Sequence, residues 1–259
     1  MPHFEFDGSQ YEKASAHQTQ WGQELISFLS LSGTESILDL GCGDGRLTQQ
    51  LAQLVPHGSV LGIDASAGMI QTAQQREESN LSFQQMDINA IDFQEEFDVI
   101  FSNAALHWIL DHRRLLRAAY CALKPNGKLL WNFAGAGNCS HFFAVVRQLM
   151  DQPPYRSYFA SFSWPWYMPT LEEYRALAEQ AGFSEIQVKE VNADRYFPDP
   201  DSLIRWIDQP SLVPFLQPLP EDLKSSFREE TVQQMVRRTI QPDGRCFETF
   251  RRIQVQAKK

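Results

Sequence analysis

A chain of 259 residues that is 43% hydrophobic and 12% aromatic can bury a large core without disulfides or structural metals. Its 23 basic and 32 acidic side chains leave a net charge of -9, which argues against the broad basic footprint that nucleic-acid binding needs. The four cysteines lack C-x-x-C spacing, so neither a zinc site nor a disulfide framework is indicated and no metal is expected. The N-terminus has no secretory pattern and no apolar run reaches membrane-spanning length, so a cytoplasmic protein without membrane insertion is expected.

In chain order, His3 to Ser15 is a polar arm. From Ala16 to Leu31, Trp21, Leu25, Phe28 and Leu29 recur at helical spacing. Ile37, Leu38 and Leu40 then form an apolar run of buried-strand type that breaks into Gly41-Cys-Gly-Asp-Gly45. Leu47, Leu51 and Leu54 follow on one helical face before Pro56 and Gly58 stop it. This is a strand, a tight glycine turn and a helix, with Gly41 and Gly43 free of the Cβ atoms that would obstruct the turn or a ligand. The dinucleotide pattern G-x-G-x-x-G/A fails, because its last position is Arg46. Acids recur at Asp39, Asp44, Asp64 and Asp87. Such a set would repel a pyrophosphate and suits a ligand with an ammonium, a sulfonium and a ribose, as S-adenosylmethionine has.

Ser59 to Ile63 is the second strand and ends at Asp64, about twenty residues past the turn, where an acid can accept both hydroxyls of a ribose. The competing role for Asp64 is helix capping, which Ser66 can perform itself. Met69 packs either on an adenine face or in the core. Leu81 to Met86 is the third strand, with Asp87-Ile88 at its end. Phe97 to Phe101 is the fourth, delivering Ser102, Asn103, His107 and Trp108 to the edge that carries the glycine turn. Asp111 caps a helix with Leu115, Leu116, Ala119 and Leu123 inward, Lys124-Pro-Asn-Gly127 is a turn, and Lys128 to Phe133 is the fifth strand.

Ala134 to Thr170 leaves this alternation. Tyr155, Tyr158, Phe159, Phe162, Trp164, Trp166 and Tyr167, punctuated by prolines, read as a cap walling an acceptor pocket, or as a small satellite core. Cys139-Ser-His141 has the form of a nucleophile and base, although a loop cysteine near a histidine is usually incidental. Glu172 to Ala181 is helical and Ser184 to Val191 a strand. A second insertion, Asn192 to Gln241, holds helical patterns around Ile204–Ile207 and Phe227–Val236. Cys246 to Val255 closes the chain as a strand.

Asp39-Leu-Gly-Cys-Gly-Asp-Gly45, Gly62-Ile-Asp64 with Ser66 and Met69, Met86-Asp87, Phe97 to Asn103 and Leu123-Lys-Pro-Asn-Gly127 resemble the class I S-adenosylmethionine-dependent methyltransferases. Asn103-Ala-Ala-Leu-His-Trp108, Pro200 to Trp206 and the ending from Asp243 resemble the small-molecule branch that contains trans-aconitate methyltransferase, with the juvenile-hormone-acid and malonyl-carrier-protein methyltransferases nearby. The resemblance implies an α/β fold, a doubly wound, mostly parallel seven-stranded Rossmann-like sheet with an antiparallel last strand. It implies a single domain over 1–259, with a cofactor core at about 32–133, a substrate cap at about 134–170 and 192–241, and an N-terminal lid at about 1–30. The implied cofactor residues are Asp39, Gly41, Cys42, Gly43, Asp64, Ala65, Met69, Asp87, Ile88 and Asn103, with Asp87 and the Ile88 amide on adenine. Tyr11 and Gln18 are lid residues by the same resemblance.

The implied reaction is methyl transfer from S-adenosylmethionine to a small-molecule acceptor, leaving S-adenosylhomocysteine. A carboxylate acceptor needs no base; a phenol, hydroxyl or amine needs one, and His107 stands where it is required. His107 is thus a base, a hydrogen-bond donor to an acidic acceptor, or pocket wall beside Trp108. Arg147, Arg156, Arg195 and Arg205 are the cations expected for a carboxylate. The aromatic density predicts an acceptor larger and more apolar than a polyacid. Three alternatives stand beside this: a non-catalytic S-adenosylmethionine-binding protein, a lipid or N-methyltransferase on the same fold, and a nicotinamide oxidoreductase.

Overall fold

The computed structural model describes residues 16–259, without the side chains of 16–20 and 209–210. Helix α1 (Ala16–Ile26) precedes the alternating core: β1 (Ser36–Leu40), α2 (Arg46–Leu54), β2 (Ser59–Asp64), α3 (Ala67–Ala73), β3 (Leu81–Gln85), β4 (Phe97–Asn103), α4 (His112–Ala122) and β5 (Leu123–Ala134). After the helix α5 (Ser140–Met150) come α6 (Leu171–Gln180), β6 (Ser184–Asn192), β7 (Arg195–Phe197), α7 (Pro200–Trp206), α8 (Val213–Leu216), α9 (Glu221–Thr239), β8 (Cys246–Glu248) and β9 (Arg251–Lys258).

Seven strands form one sheet in the order β3-β2-β1-β4-β5-β9-β6. β1 is parallel to β2 and β4, β2 to β3 and β4 to β5, while β9 runs antiparallel to β5. The order reverses between β1 and β4, which makes the carboxyl ends of these strands the natural ligand edge. Alternate residues of each strand serve opposite faces. Leu38, Leu40, Ile100, Trp131 and Phe133 join Leu115, Leu116 and Ala119 of α4 in one core, and Ile37, Val99, Phe101 and Leu130 join Leu25, Leu51 and Ala52 in another. Each of the larger aliphatic or Phe side chains among them contributes roughly 1.5–3 kcal/mol by burial, enough to fix the register.

Two compact units emerge from the contacts. One holds the described residues up to Ala136 with Trp166–Val191 and Arg252–Lys259; the other holds Gly137–Pro165 and Asn192–Arg251. In the second, α5 packs on α9. Phe142 meets Trp206 and Phe215 at 5.8 and 5.9 Å, and Tyr155 meets Phe227 at 4.9 Å.

The structure departs from the sequence expectations in several places. Phe142, Val145, Val146 and Leu149 are buried along a helix in a stretch to which the sequence pattern assigns no element. The final strand is split, with β8 paired to β7 in a separate two-stranded sheet and β9 alone in the main sheet. Residues 124–127 loop out of β5, so that Phe97 aligns with Leu123 and Val99 with Lys128. Leu54 is 46% exposed, because α2 is anchored by Leu51 and Ala52 instead. Among the described residues, no helix is long and apolar enough to cross a membrane, and no group of His, Cys, Asp and Glu could hold a metal ion.

Gly45 opens α2 with φ +80°, and a Cβ there would lie 2.7 Å from Phe83 Cζ and 3.0 Å from Ala73 Cβ. Gly244 has a similar φ of +84° but open space around it. Gly45→Ala should therefore cost roughly 2–4 kcal/mol, strain plus overpacking, and Gly244→Ala only the strain of about 1–2 kcal/mol. Urea denaturation of the two variants compares them directly; equal losses would contradict the packing assignment.

Candidate functional site

Helix α2 starts where β1 ends, and the intervening turn is sewn to the end of β2. The Gly41 and Cys42 amides both donate to the Ile63 carbonyl, at 2.8 and 2.9 Å. The Gly43 amide donates to Asp64 Oδ2 at 3.1 Å. Three consecutive amides are thus spent inside the fold, so the turn offers no cradle for phosphate of the kind helix N-termini often provide. The two glycines serve different ends. A Cβ on Gly41 would fall 2.2 Å from Ala105 Cβ, so this position is bare because the segment after β4 crosses it; at Gly43, with φ +57°, a Cβ would meet nothing within 4 Å. Open ground therefore lies above Gly43 and not above Gly41.

The acids around this turn differ in state. Asp39 is 2% exposed and accepts the Thr48 hydroxyl at 2.7 Å. Burial pushes its pKa up to about 7, the Thr48 hydrogen bond opposes this, and the charge of Asp64 adds to it. Asp64 is also raised by burial, against the pull of the Ser66 and Gly43 amides that its two oxygens accept. Cys42, between them, has its thiol raised by burial and by both carboxylates. Asp44 stands apart from this set, because Arg46 pairs with it at 2.6 Å. Asp87 accepts the Asn89 amide and side chain at 2.8 Å each, capping the short turn that starts at the buried Ile88.

Ser66 caps α3 through the Met69 amide at 3.3 Å, and Met69 is 4% exposed. The Ala65 carbonyl accepts Gln85 Nε2 at 3.2 Å, tying it to the end of β3. Asn103 ends β4 in register with Asn132. Beyond it, Leu106–Trp108 form one helical turn, with the His107 and Trp108 rings 5.6 Å apart and Trp108 5.2 Å from Trp166. Tyr11 lies outside the described residues; Gln18 is in α1, and its side chain lies outside them too. The Trp21 ring lies 4.2 Å from the guanidinium of Arg252, whose Nη2 donates to the Asn132 carbonyl at 3.1 Å. Arg252 is 4% exposed and was not among the arginines picked from the sequence.

Those four arginines belong to the second unit. Arg147 stacks on Trp164 at 4.6 Å, Arg195 on Phe197 at 5.0 Å, Arg205 donates to Ser202 at 2.7 Å and Arg156 is exposed. His141 Nδ1 lies 3.0 Å from the fully buried Glu248 carboxylate, which also accepts the His141 and Phe142 amides at the start of α5. That bond directs the ring to Glu248 and not to Cys139, and the first amides of α5 are capped by Thr249 and Glu248. His107 differs from it. Burial first, then the charges of Arg252 and His112, pull its pKa down to about 3, and its Nδ1 is shielded from solvent with no hydrogen-bond partner among the described residues.

Open backbone at Gly43 beside carboxylates whose pKa values burial raises fits a cationic nucleoside, whose positive charge would favour their ionised form. The same shifts predict a pH signature. The folded pKa of Asp39, about 7, lies above its ordinary 3.8, so the folded state binds the extra proton between these values and stability falls as pH rises through that window. His107 and His112, at about 3 and 4 against 6.5, act in the opposite sense below pH 6.5. In urea denaturation at pH 4.5, 6 and 8, Asp39→Asn should therefore gain on the wild type by a few kcal/mol as pH rises. A difference independent of pH would contradict it.

Known proteins now place the chain. A methyltransferase-domain family model matches residues 31–155. The chain is 26% identical to a trans-aconitate 2-methyltransferase of Methylobacterium nodulans over 98% of both chains. It is 30% identical to the enzyme of that name from Deinococcus radiodurans over 81% of this chain and 82% of the other. In structure it is similar to the YcgJ protein of Bacillus subtilis, with TM-score 0.65 and 20% identity over 93% of this chain and 98% of that one. Phosphoethanolamine N-methyltransferase 2 of Haemonchus contortus, solved with S-adenosyl-L-methionine, has the same fold at TM-score 0.62 and 20% identity, covering 97% of this chain and 56% of that one. The chain belongs to the class I S-adenosylmethionine-dependent methyltransferases, in the branch of the trans-aconitate methyltransferases, and S-adenosylmethionine is its cofactor.

Proposed function

We propose that this enzyme methylates a carboxylate oxygen of a small-molecule acid. The observation that carries the choice of acceptor is His107. It follows the end of β4, its Nδ1 is shielded from solvent without a hydrogen-bond partner among the described residues, and burial pulls its pKa down to about 3, which makes it a poor general base at neutral pH. An amine, phenol or alcohol acceptor would call for such a base, whereas a carboxylate attacks with its own lone pair. The relatives named trans-aconitate 2-methyltransferase point the same way. When bound, S-adenosylmethionine supplies a sulfonium methyl group that the carboxylate oxygen displaces in line as the carbon–sulfur bond breaks, with no proton moved.

The residues of this chain bind, orient and exclude water. We assign Asp64 to the ribose hydroxyls, Asp87 and the Ile88 amide to the adenine, with Met69 and Ala65 beside it. Asp39, Gly43 and Asn103 are assigned to the amino-acid end, with Gly41 and Cys42 shaping the turn beneath it. His107 and Trp108 are assigned to the acceptor wall, and Tyr11 and Gln18 to a lid within about 1–30, on a core at about 32–133. The stretches 134–170 and 192–241 are assigned to acceptor specificity. Orientation of this kind can supply roughly 7–11 kcal/mol of the barrier reduction. Four free cysteines suit a reducing, cytoplasmic setting, which cell fractionation would read directly.

Two measurements test this. Mass spectrometry with isotope-labelled S-adenosylmethionine and a panel of trans-aconitate, phenylacetate and decanoate should find a labelled methyl ester. With the best acid of the panel, His107→Gln should keep kcat/KM within about tenfold, because loss of a general base would cost 10²–10⁴. A panel without product, or a thousandfold loss in His107→Gln, would contradict carboxylate methylation. Separately, titration calorimetry with S-adenosylmethionine should show proton release near pH 7 and binding roughly tenfold weaker at pH 6 than at pH 8, as Asp39 ionises on binding. Binding that ignores pH would remove Asp39 from the site.

A further inference from the structure

The turn that carries His107 and Trp108 is held from behind by a buried hydrogen-bonded chain to which methyl transfer as described above assigns no role. His112, the first residue of α4, is 2% exposed. Its Nε2 lies 3.0 Å from the Leu106 carbonyl and its Nδ1 2.9 Å from the hydroxyl of Tyr174 on α6. A carbonyl only accepts, so Nε2 carries the hydrogen; Nδ1 is then the acceptor and Tyr174 the donor. The next carbonyl along, that of His107, accepts the Tyr167 amide at 2.9 Å, and the Tyr167 ring packs 4.7 Å from the His112 ring. Phe133 of β5 closes the group, 5.2 Å from His112 and 5.1 Å from Tyr174. Two successive carbonyls of a one-turn helix are therefore fixed from outside it. Burial keeps the His112 ring neutral, with its pKa down to about 4, so the donor and acceptor roles stay fixed at working pH.

A turn of three residues has little internal rigidity, since one helical turn fixes several dihedral angles for a single hydrogen bond. A buried polar chain joining α4 and α6 to that turn is an expensive way to fill space, because each member must be satisfied by the others. Its consequence is positional. We propose that His112 and Tyr174 are positioning residues for methyl transfer: through the Leu106 carbonyl they set where His107 and Trp108 stand against the acceptor. This rests on the assignment of His107 and Trp108 to the acceptor wall. Displacing a positioning group by about 1 Å can cost a hundredfold in rate.

The test separates the clamp from general stability. A glutamine at 112 places its amide nitrogen near the position of Nε2, whereas an asparagine places it near Nδ1. With the best carboxylic acid of the panel, His112→Asn and Tyr174→Phe should lower kcat/KM for the acid tenfold or more, while S-adenosylhomocysteine affinity stays within twofold. His112→Gln should recover most of the loss. For the case in which the variants fold poorly, nitrogen NMR of the wild-type histidines should find His112 as the Nε2–H tautomer. Unchanged acid kinetics in His112→Asn, equal losses in the Asn and Gln variants, or an Nδ1–H tautomer would overturn the clamp. His107→Ala and Trp108→Ala serve as controls. If they alter acid kinetics while the His112 variants do not, the clamp is wrong and the acceptor wall stands; if they alter nothing, the wall assignment itself is wrong.

Discussion

Everything at the ligand edge depends on how the turn after β1 is tied to the end of β2. The Ile63 carbonyl takes two amides and the Asp64 carboxylate a third, so a flexible glycine loop becomes a rigid extension of the sheet. Two consequences follow from those bonds. The amides that would otherwise attract phosphate are consumed, and a carboxylate is fixed beside open backbone at Gly43. Anion binding is traded for cation binding by the direction of three hydrogen bonds.

The electrostatics of the edge extend this. Burial raises Asp39 and Asp64 and lowers His107 and His112, so four titratable groups near the strand ends resist charging in the free protein. A region poised in this way gains charge more readily where a ligand compensates it. For the acids, the compensating ligand in the function proposed here is the positively charged donor. For His107, neutrality removes it as a base and leaves it as shape and hydrogen bonding. On the proposed function the chemistry is alignment and exclusion of water, and the placement of a single turn, Leu106–Trp108, would then matter as much as the identity of its residues.

Much of the fold was legible because parallel strands write a strong signal. Ile37-Leu38-x-Leu40 and Phe97 to Phe101 are apolar on both faces, and glycine, proline and capping residues mark their ends. Helix α5 was hidden by its neighbours: Phe142, Val145, Val146 and Leu149 have helical spacing, but glycines before them and aromatics and prolines after them blurred the period. At the site, the acids and the turn were visible as types and spacings. What spacing did not reveal was direction. Gly41 is bare for Ala105, which is distant in sequence, and Asp44 is paired with Arg46. His112 reads as an ordinary first helical residue beside Arg113 and Arg114, because nothing local announces that its partners are a carbonyl six residues back and a tyrosine sixty-two ahead. Arg252 was missed for the same reason, since its place beside Asn132 comes from the pairing of β9 with β5.

The most direct test of the central claim, that the locked turn and its buried acids hold the cationic nucleoside, is a crystal structure with S-adenosylmethionine bound. The account predicts the ribose on Asp64, the adenine beside Asp87 and the amino-acid end over Gly43. A nucleoside lodged elsewhere, or Asp64 touching no atom of it, would contradict it.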